Sequence, residues 1–181
     1  MINIAKTKTT PLSRKWIRNL TEKIRDIWNF EDNDIIDITK FLEILSIDSI
    51  LDDEFNYEIL EDKDLPNVYA ETNTDTGTIR IRESVYLGAL NGISRDRFTI
   101  AHELGHFFLH KKNVSLCRSE DDIKIYEDPE WQANVFAAEF LAPSNKINDL
   151  TINQITQKFN VSKEVAKIQK SISQKNKKEL S

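Results

Sequence analysis

The feature that most constrains this chain is a five-residue run, HELGH at positions 102–106, within a segment of apolar periodicity. The chain has three histidines, and all of them lie between His102 and His110. Apolar residues recur at helical spacing from about residue 94 to residue 110, so we predict a helix there. Residues four apart on a helix differ by about 40° around its axis. His102 and His106 should therefore project side by side from one face.

Two imidazoles in this position can donate nitrogens to one zinc ion at about 2.0–2.1 Å. Glu103 is rotated by about 100° from His102, so it should contact a water on the metal instead of the metal itself. Zinc lowers the pKa of such a water toward about 7, and Glu103 can act as general base when the water attacks a carbonyl. Gly105 would let a neighbouring element approach closely. The pattern predicts a hydrolytic zinc site.

A catalytic zinc site needs a third protein ligand and one open position. The metzincin pattern would place a histidine at position 112, but that residue is Lys112. His110 lies about 80° from the direction of His102, so we predict that it packs beside the ligands or orients them. A carboxylate from a later helix is the better candidate for the third ligand.

Two acids compete for this role, Glu130 and Glu139, on one predicted helix that starts at Pro129 and ends before Pro143. They are about 180° apart on that helix, so only one can face the metal. We predict Glu130, because Asn134 follows one turn later and can hydrogen-bond to a metal-bound imidazole. The alternative is that Glu130 is simply an acid stabilised at a helix N-terminus.

The remaining pattern predicts an α+β fold, a mainly helical zincin-like domain with a small antiparallel sheet ahead of the HExxH helix. The sheet is a hairpin at about 67–82, because two β-prone runs flank a turn that ends in Gly77. Helices are predicted at 14–28, with Trp16, Leu20, Ile24 and Ile27 on the buried face, and at 35–45. We divide the chain into a peptidase domain, 1–150, and a short helical pair resembling a helix-turn-helix, 151–181.

Composition indicates a soluble cytoplasmic protein. The only cysteine is Cys117, no apolar stretch resembles a signal peptide or a membrane span, and the net charge is −5. Direct nucleic-acid binding is not expected from an acidic chain, although the basic C-terminal helices keep it as an alternative. Residues 111–128 read as a polar loop that could cover the cleft. Cys117 in that loop is either a small half-buried residue or an inhibitory zinc ligand.

Residues 97–110, RFTIAHELGHFFLH, resemble the zinc-peptidase core of the ImmA/IrrE family, and residues 130–143, EWQANVFAAEFLAP, are similar to its second signature. The resemblance implies gluzincin-like ligation by His102, His106 and Glu130, with Glu103 as general base. One departure is Asn134, where similar enzymes can carry an acid.

The resemblance also implies a narrow substrate class. Members of that family act on helix-turn-helix repressors that control mobile-element or stress-response genes, so the expected partner is such a repressor or an antitoxin. The alternative is a zinc-stabilised interaction or sensor module without catalysis, in toxin–antitoxin or mobile-element regulation.

Overall fold

The described residues form seven α-helices, a three-stranded sheet and a separate two-stranded sheet. The computed structural model describes residues 6–30, 35–47, 55–110, 117–119 and 123–179. The helices in these residues are α1 (Arg14–Ile27), α2 (Ile38–Ile47), α3 (Glu83–Leu90), α4 (Ser94–Leu109), α5 (Pro129–Leu141), α6 (Ile152–Phe159) and α7 (Lys163–Glu179). The strands are β1 (Lys6–Lys8), β2 (Asn56–Leu60), β3 (Ala70–Asn73), β4 (Thr78–Arg82) and β5 (Cys117–Ser119). The predicted mainly helical α+β class is confirmed.

The three-stranded sheet is mixed and has the order β2-β4-β3. The predicted hairpin is confirmed, since β3 and β4 pair antiparallel with Ala70 opposite Ile81. The sheet extends beyond the predicted antiparallel hairpin and is mixed, because β2 runs parallel to β4, with Asn56 opposite Thr78. The stretch between β2 and β4 is long enough for the crossover that parallel pairing requires, and it contains β3. This topology leaves β3 at the edge of the sheet.

Helix α1 begins and ends close to its predicted bounds, but its buried face is shifted. Trp16 is 50% exposed and Ile27 is 53% exposed, whereas the buried residues include Ile17 and Arg25. The Arg25 guanidinium donates from Nη1 to the carbonyl of Phe140 on α5 at 2.9 Å. This hydrogen bond gives the buried guanidinium a polar partner. The helix can therefore place a charged residue against α5 while Trp16 and Ile27 remain exposed to solvent.

Among the described elements, α4 and α5 have the most extensive contact, and Gly105 lets them approach closely. A Cβ added at Gly105 would lie 3.0 Å from both Cα and O of Ala133 and 3.2 Å from Cβ of Phe136. The predicted close approach at Gly105 is therefore confirmed. Pro129 stands in the first turn of α5, as predicted, and Asp128 caps that helix by accepting from the backbone N–H of Glu130 at 2.9 Å.

Phenylalanine rings make up much of the core beneath the site. Phe136 stacks on Phe140 with ring centroids 5.7 Å apart, and Phe41 lies 5.4 Å from Phe140. These aromatic contacts join α2 to α5. Large rings of this kind bury a large apolar area per residue, so they contribute strongly to the core. No helix within the described ranges is both long and apolar enough to cross a membrane.

The C-terminal helices are attached to this core through Arg97, a buried residue in the first turn of α4. Its guanidinium donates to the carbonyls of Phe159 and Asn160, where α6 ends, and to the carbonyl of Ile36 at 3.0 Å. Asn160 adopts a left-handed conformation with φ 48°, which ends α6. Ser162 accepts from the N–H of Val165 at 3.2 Å, which confirms it as the predicted cap of α7. The division at residue 150 stays a prediction.

Candidate metal centre

Three side chains converge where α4 meets the first turn of α5. The Nε2 atoms of His102 and His106 lie 3.0 Å apart. Glu130 places Oε2 at 3.3 Å from Nε2 of His102 and Oε1 at 3.4 Å from Nε2 of His106. All of these donor atoms lie within 4.8 Å of one another. The structure thus brings together the two predicted histidines and the predicted acid.

The spacing of these donors suits one tetrahedral zinc ion. Ligands at about 2.0–2.1 Å from a tetrahedral metal are separated by about 3.3 Å. The three separations here are 3.0, 3.3 and 3.4 Å. Two imidazole nitrogens and one carboxylate are also a donor set that zinc accepts, and three protein ligands leave the fourth position for water or substrate.

The electrostatics of the cluster favour a cation next to Glu130. Its hydrogen bonds with His102 and His106 hold the pKa of the Glu130 carboxyl far below its usual range. Burial works to lower the pKa of His102, but the hydrogen bond with Glu130 and the nearby charges of Glu103 and Glu130 outweigh it and raise this pKa above the usual value. The Glu130 carboxylate is therefore ionised at neutral pH.

Each histidine makes a second contact through its other ring nitrogen. Nδ1 of His102 lies 3.1 Å from Oδ1 of Asn134, the partner that sequence reasoning proposed. Nδ1 of His106 lies 3.1 Å from Nδ1 of His110. Hydrogen bonds of this kind fix the orientation of a ligating imidazole and the nitrogen that faces the metal.

His110 is a buried neighbour of the donor set and does not join it. Its Nε2 lies 2.9 Å from Oε1 of Gln132 on α5. Burial lowers the pKa of His110 to about 4, so its ring is neutral at pH 7. Sequence reasoning missed Gln132, because only the packing of α4 on α5 brings it to His110.

Glu103 is held beside the donor set by a residue that sequence reasoning also missed. Thr72 on the edge strand β3 donates from its hydroxyl to Oε2 of Glu103 at 2.6 Å. The same hydroxyl lies 3.1 Å from the backbone carbonyl of Glu103. Thr72 gives no signal in the sequence, since the contact requires β3 to lie along α4. The result is a carboxylate fixed in place next to the two histidines.

A cleft of about 810 Å³ opens over these residues. One wall is formed by β3 and the residues next to it, including Ala70, Glu71 and Thr72, and the floor by His102, Glu103 and His106. The opposite wall comes from residues 123–130. The edge of β3 therefore runs beside the candidate metal centre.

A comparison with known protein families identifies the family of the chain that carries this site. The peptidase family described as "IrrE N-terminal-like domain" matches residues 53–169, which contain the donor set, Glu103 and Thr72. The chain belongs to this family. Membership of the IrrE N-terminal-like family confirms the resemblance drawn from residues 97–110 and 130–143.

One similar protein is named Metallopeptidase ImmA, from Bacillus subtilis (strain 168). It is 32% identical over 96 residues, which are 49% of this chain and 52% of the relative. The chain thus matches about half the length of that protein. A peptidase family with a metallopeptidase relative indicates a metal in this chain as well, and the described group able to hold one is His102, His106 and Glu130.

A solved structure supports the fold. A Mycobacterium tuberculosis transcriptional regulator superposes with a TM-score of 0.52 at 15% identity, covering 83% of this chain and 44% of that protein. At this identity the likeness concerns the fold alone.

The competing acid, Glu139, lies in a buried site where hydrogen bonds and an ion pair stabilise the fold. Its side chain is fully buried, accepts from the N–H and hydroxyl of Ser144, and pairs with Arg14 at 3.3 Å. These contacts fix the turn that follows α5 and tie it to α1. Glu139 therefore lies away from the donor set, as the helical angle predicts.

The predicted polar loop at 111–128 is only partly described. It contains β5, which pairs antiparallel with β1, and a short 3-10 helix at Ile125–Glu127. Residues 111–116 and 120–122 lie outside the described ranges, and so does the side chain of Cys117. The cover and the inhibitory thiolate proposed for this segment stay predictions.

Proposed function

We propose that this chain is a zinc-dependent endopeptidase. His102, His106 and Glu130 are the zinc ligands, and Glu103 is the general base. The observation that carries the proposal is the convergence of the three donor groups at tetrahedral separations on the floor of the cleft, next to a fixed carboxylate. Membership of a peptidase family supports it.

The chemistry divides between the metal and Glu103. Zinc in this donor set would supply a Lewis acid that activates a water and polarises a carbonyl. Glu103 accepts the proton of the attacking water and later delivers it to the leaving amine, so one carboxylate serves as base and then as acid. The hydroxyl of Thr72 orients the Glu103 carboxylate through its 2.6 Å hydrogen bond.

The edge strand β3 offers a way to hold the substrate. Its pairing with β4 uses one side of its backbone, and among the described strands none pairs with the other side. An extended peptide can add to such an edge through main-chain hydrogen bonds. A peptide bound along β3 would pass Glu103, because Thr72 in this strand already contacts that residue.

The charge of the cleft suits a basic segment of a protein. Its described lining includes four acids, Glu71, Glu103, Asp128 and Glu130, and contains no lysine or arginine. We propose a helix-turn-helix repressor or antitoxin as substrate, since DNA-binding proteins carry basic segments for phosphate contact. The resemblance to the ImmA/IrrE family supports the same class.

The test is cleavage of a purified helix-turn-helix protein encoded beside this chain. Wild-type protein loaded with zinc should cleave it at one site, and Glu103→Gln should bind zinc equally well but lose activity by a factor of about 10²–10⁴. Equal cleavage by both proteins, or no cleavage by either with zinc bound, contradicts the proposal. Full biological effect of Glu103→Gln would instead favour the non-catalytic interaction module.

A further inference from the structure

A chain of hydrogen bonds leads from the backbone to the metal ligand His106, and it starts at Gln132. The Gln132 side chain is 0% exposed. Its Nε2 donates to two backbone carbonyls, of Thr10 and of Tyr126, each at 2.8 Å. Only an amide NH₂ can donate to both, so the orientation of this amide is fixed. Its Oε1 is therefore the atom that faces His110.

The direction of each following hydrogen bond is then determined. Oε1 of Gln132 can only accept, so Nε2 of His110 carries the hydrogen in their 2.9 Å contact. A neutral imidazole has one N–H, which leaves Nδ1 of His110 as an acceptor. Nδ1 of His106 lies 3.1 Å away and must donate to it. In the neutral ring, Nε2 of His106 therefore keeps its lone pair. This nitrogen lies 3.4 Å from Oε1 of Glu130, to which it can donate only when the ring is protonated.

We propose that Gln132 and His110 are positioning residues that fix the tautomer of His106 with its Nε2 lone pair directed at the metal. The inference rests on the zinc site of the proposed function. It also assigns a role to the residues that hold Gln132. Thr10 precedes α1 and Tyr126 lies in the 3-10 helix before α5, so these two segments set the state of a metal ligand through one amide.

His102 differs, because its second contact is with the single amide of Asn134, which is exposed. Water can replace that partner, whereas no water can easily replace Gln132 in a fully buried contact. The zinc affinity should therefore depend more on Gln132 than on Asn134.

Nitrogen-15 NMR of the imidazoles in the metal-free wild type at pH 8 tests the tautomer without any activity measurement. We expect the hydrogen on Nδ1 of His106 and on Nε2 of His110. A hydrogen on Nε2 of His106 overturns the proposal. Because this result needs no zinc, it stands apart from the proposed function, which fails if the wild type binds no zinc.

The second arm measures zinc affinity by competition with a chelator. Gln132→Met should weaken binding about 10- to 100-fold, the usual cost of losing a partner of a ligating histidine. Gln169→Met is the matched control, since Gln169 is also 0% exposed and donates to the carbonyl of Ala142, away from the site. An equal loss in both variants, or no loss in Gln132→Met, overturns the proposal.

A double variant separates positioning from general loss of packing. If Gln132 acts through His110, then Gln132→Met should add little to the affinity loss already caused by His110→Phe. Fully additive losses would show that Gln132 acts by another route and would overturn the proposal.

Discussion

The two ends of α5 carry the same type of side chain in opposite roles. Glu130, in the first turn, is 67% exposed and lies against two histidines. Glu139, in the last turns, is 0% exposed and is satisfied by Arg14 and Ser144. The buried acid stabilises the fold and the exposed acid is the candidate ligand. Burial therefore says less about function here than the identity of the neighbouring groups does.

The two carboxylates differ in whether their oxygens are available to bind a metal ion. Both oxygens of Glu139 accept hydrogen bonds from Ser144, and one of them also pairs with Arg14. The oxygens of Glu130 face two imidazole nitrogens that a cation can bridge. A metal can replace those contacts at Glu130, whereas it would have to displace a charge-paired network at Glu139.

The largest expected effect that separates the two ends is on stability. Glu139→Ala leaves the Arg14 cation and the Ser144 donors without their buried partner, so the free energy of unfolding should fall by about 3 kcal/mol. Glu130→Ala should reduce the stability of the metal-free protein much less, by at most about 1 kcal/mol, because the Glu130 side chain is 67% exposed and water screens its contacts with the histidines. Urea unfolding of both variants without metal measures this, and similar losses in the two would break the comparison.

A smaller effect on stability is expected from a substitution at Gly105, where α4 packs against α5 near Glu130. Gly105→Ala places a Cβ 3.0 Å from the backbone of Ala133, so the helices must separate by a few tenths of an ångström. Overpacking of this kind costs about 1–3 kcal/mol. It should also weaken zinc binding, since Glu130 moves away from the histidines. Denaturant unfolding and chelator competition measure the two losses, and unchanged zinc affinity would show that the helix spacing does not control the site.

The smallest expected effect is the pH dependence of zinc affinity at the Glu130 end of α5. The raised pKa of His102 means that protons compete with zinc for this ring as pH falls toward and below that pKa. Between pH 8 and pH 6 zinc affinity should drop at least about fourfold, because even an unshifted histidine is mostly protonated at pH 6.

The contribution of His102 to the stability of the metal-free protein should change in the opposite direction over the same range, whereas His110, whose pKa is lowered to about 4, contributes with the other sign. A histidine with a raised folded pKa stabilises the fold when protonated and loses that contribution as pH rises through the folded pKa. Glu130, with its lowered pKa, remains ionised throughout the range and supplies the partner charge. Zinc affinity of the wild type, and the difference in metal-free unfolding free energy between the wild type and His102→Gln, are followed at several pH values; a His102 contribution that declines together with zinc affinity as pH falls would contradict the opposed signs.

Local geometry was enough to predict much of the site from the sequence. Helical spacing places His102 beside His106, and the angle along α5 separates Glu130 from Glu139, because side-chain directions on a helix follow from its period. Asn134 follows from the same reasoning. Thr72 and Gln132 do not, since each depends on how a separate element packs against α4.

The fold shows the same limit. The hairpin of β3 and β4 has a local turn signal, but the parallel pairing of β2 with β4 depends on a crossover that no local pattern specifies. Helix α3 was not predicted, because its apolar residues do not form one stripe: Val85 and Ala89 are buried, while Leu87 and Leu90 are exposed. Elements fixed by tertiary contacts are the ones that sequence reasoning misses.

Metal analysis after dialysis tests the central claim most directly, with Glu130→Ala and Glu139→Ala compared against the wild type. The wild type should retain about one zinc per chain, as expected for a single site with three protein ligands. Glu130→Ala, like His102→Ala and His106→Ala, should lose it, while folded Glu139→Ala should keep it. Zinc retained by Glu130→Ala, or lost only by Glu139→Ala, would contradict the assignment of the metal centre.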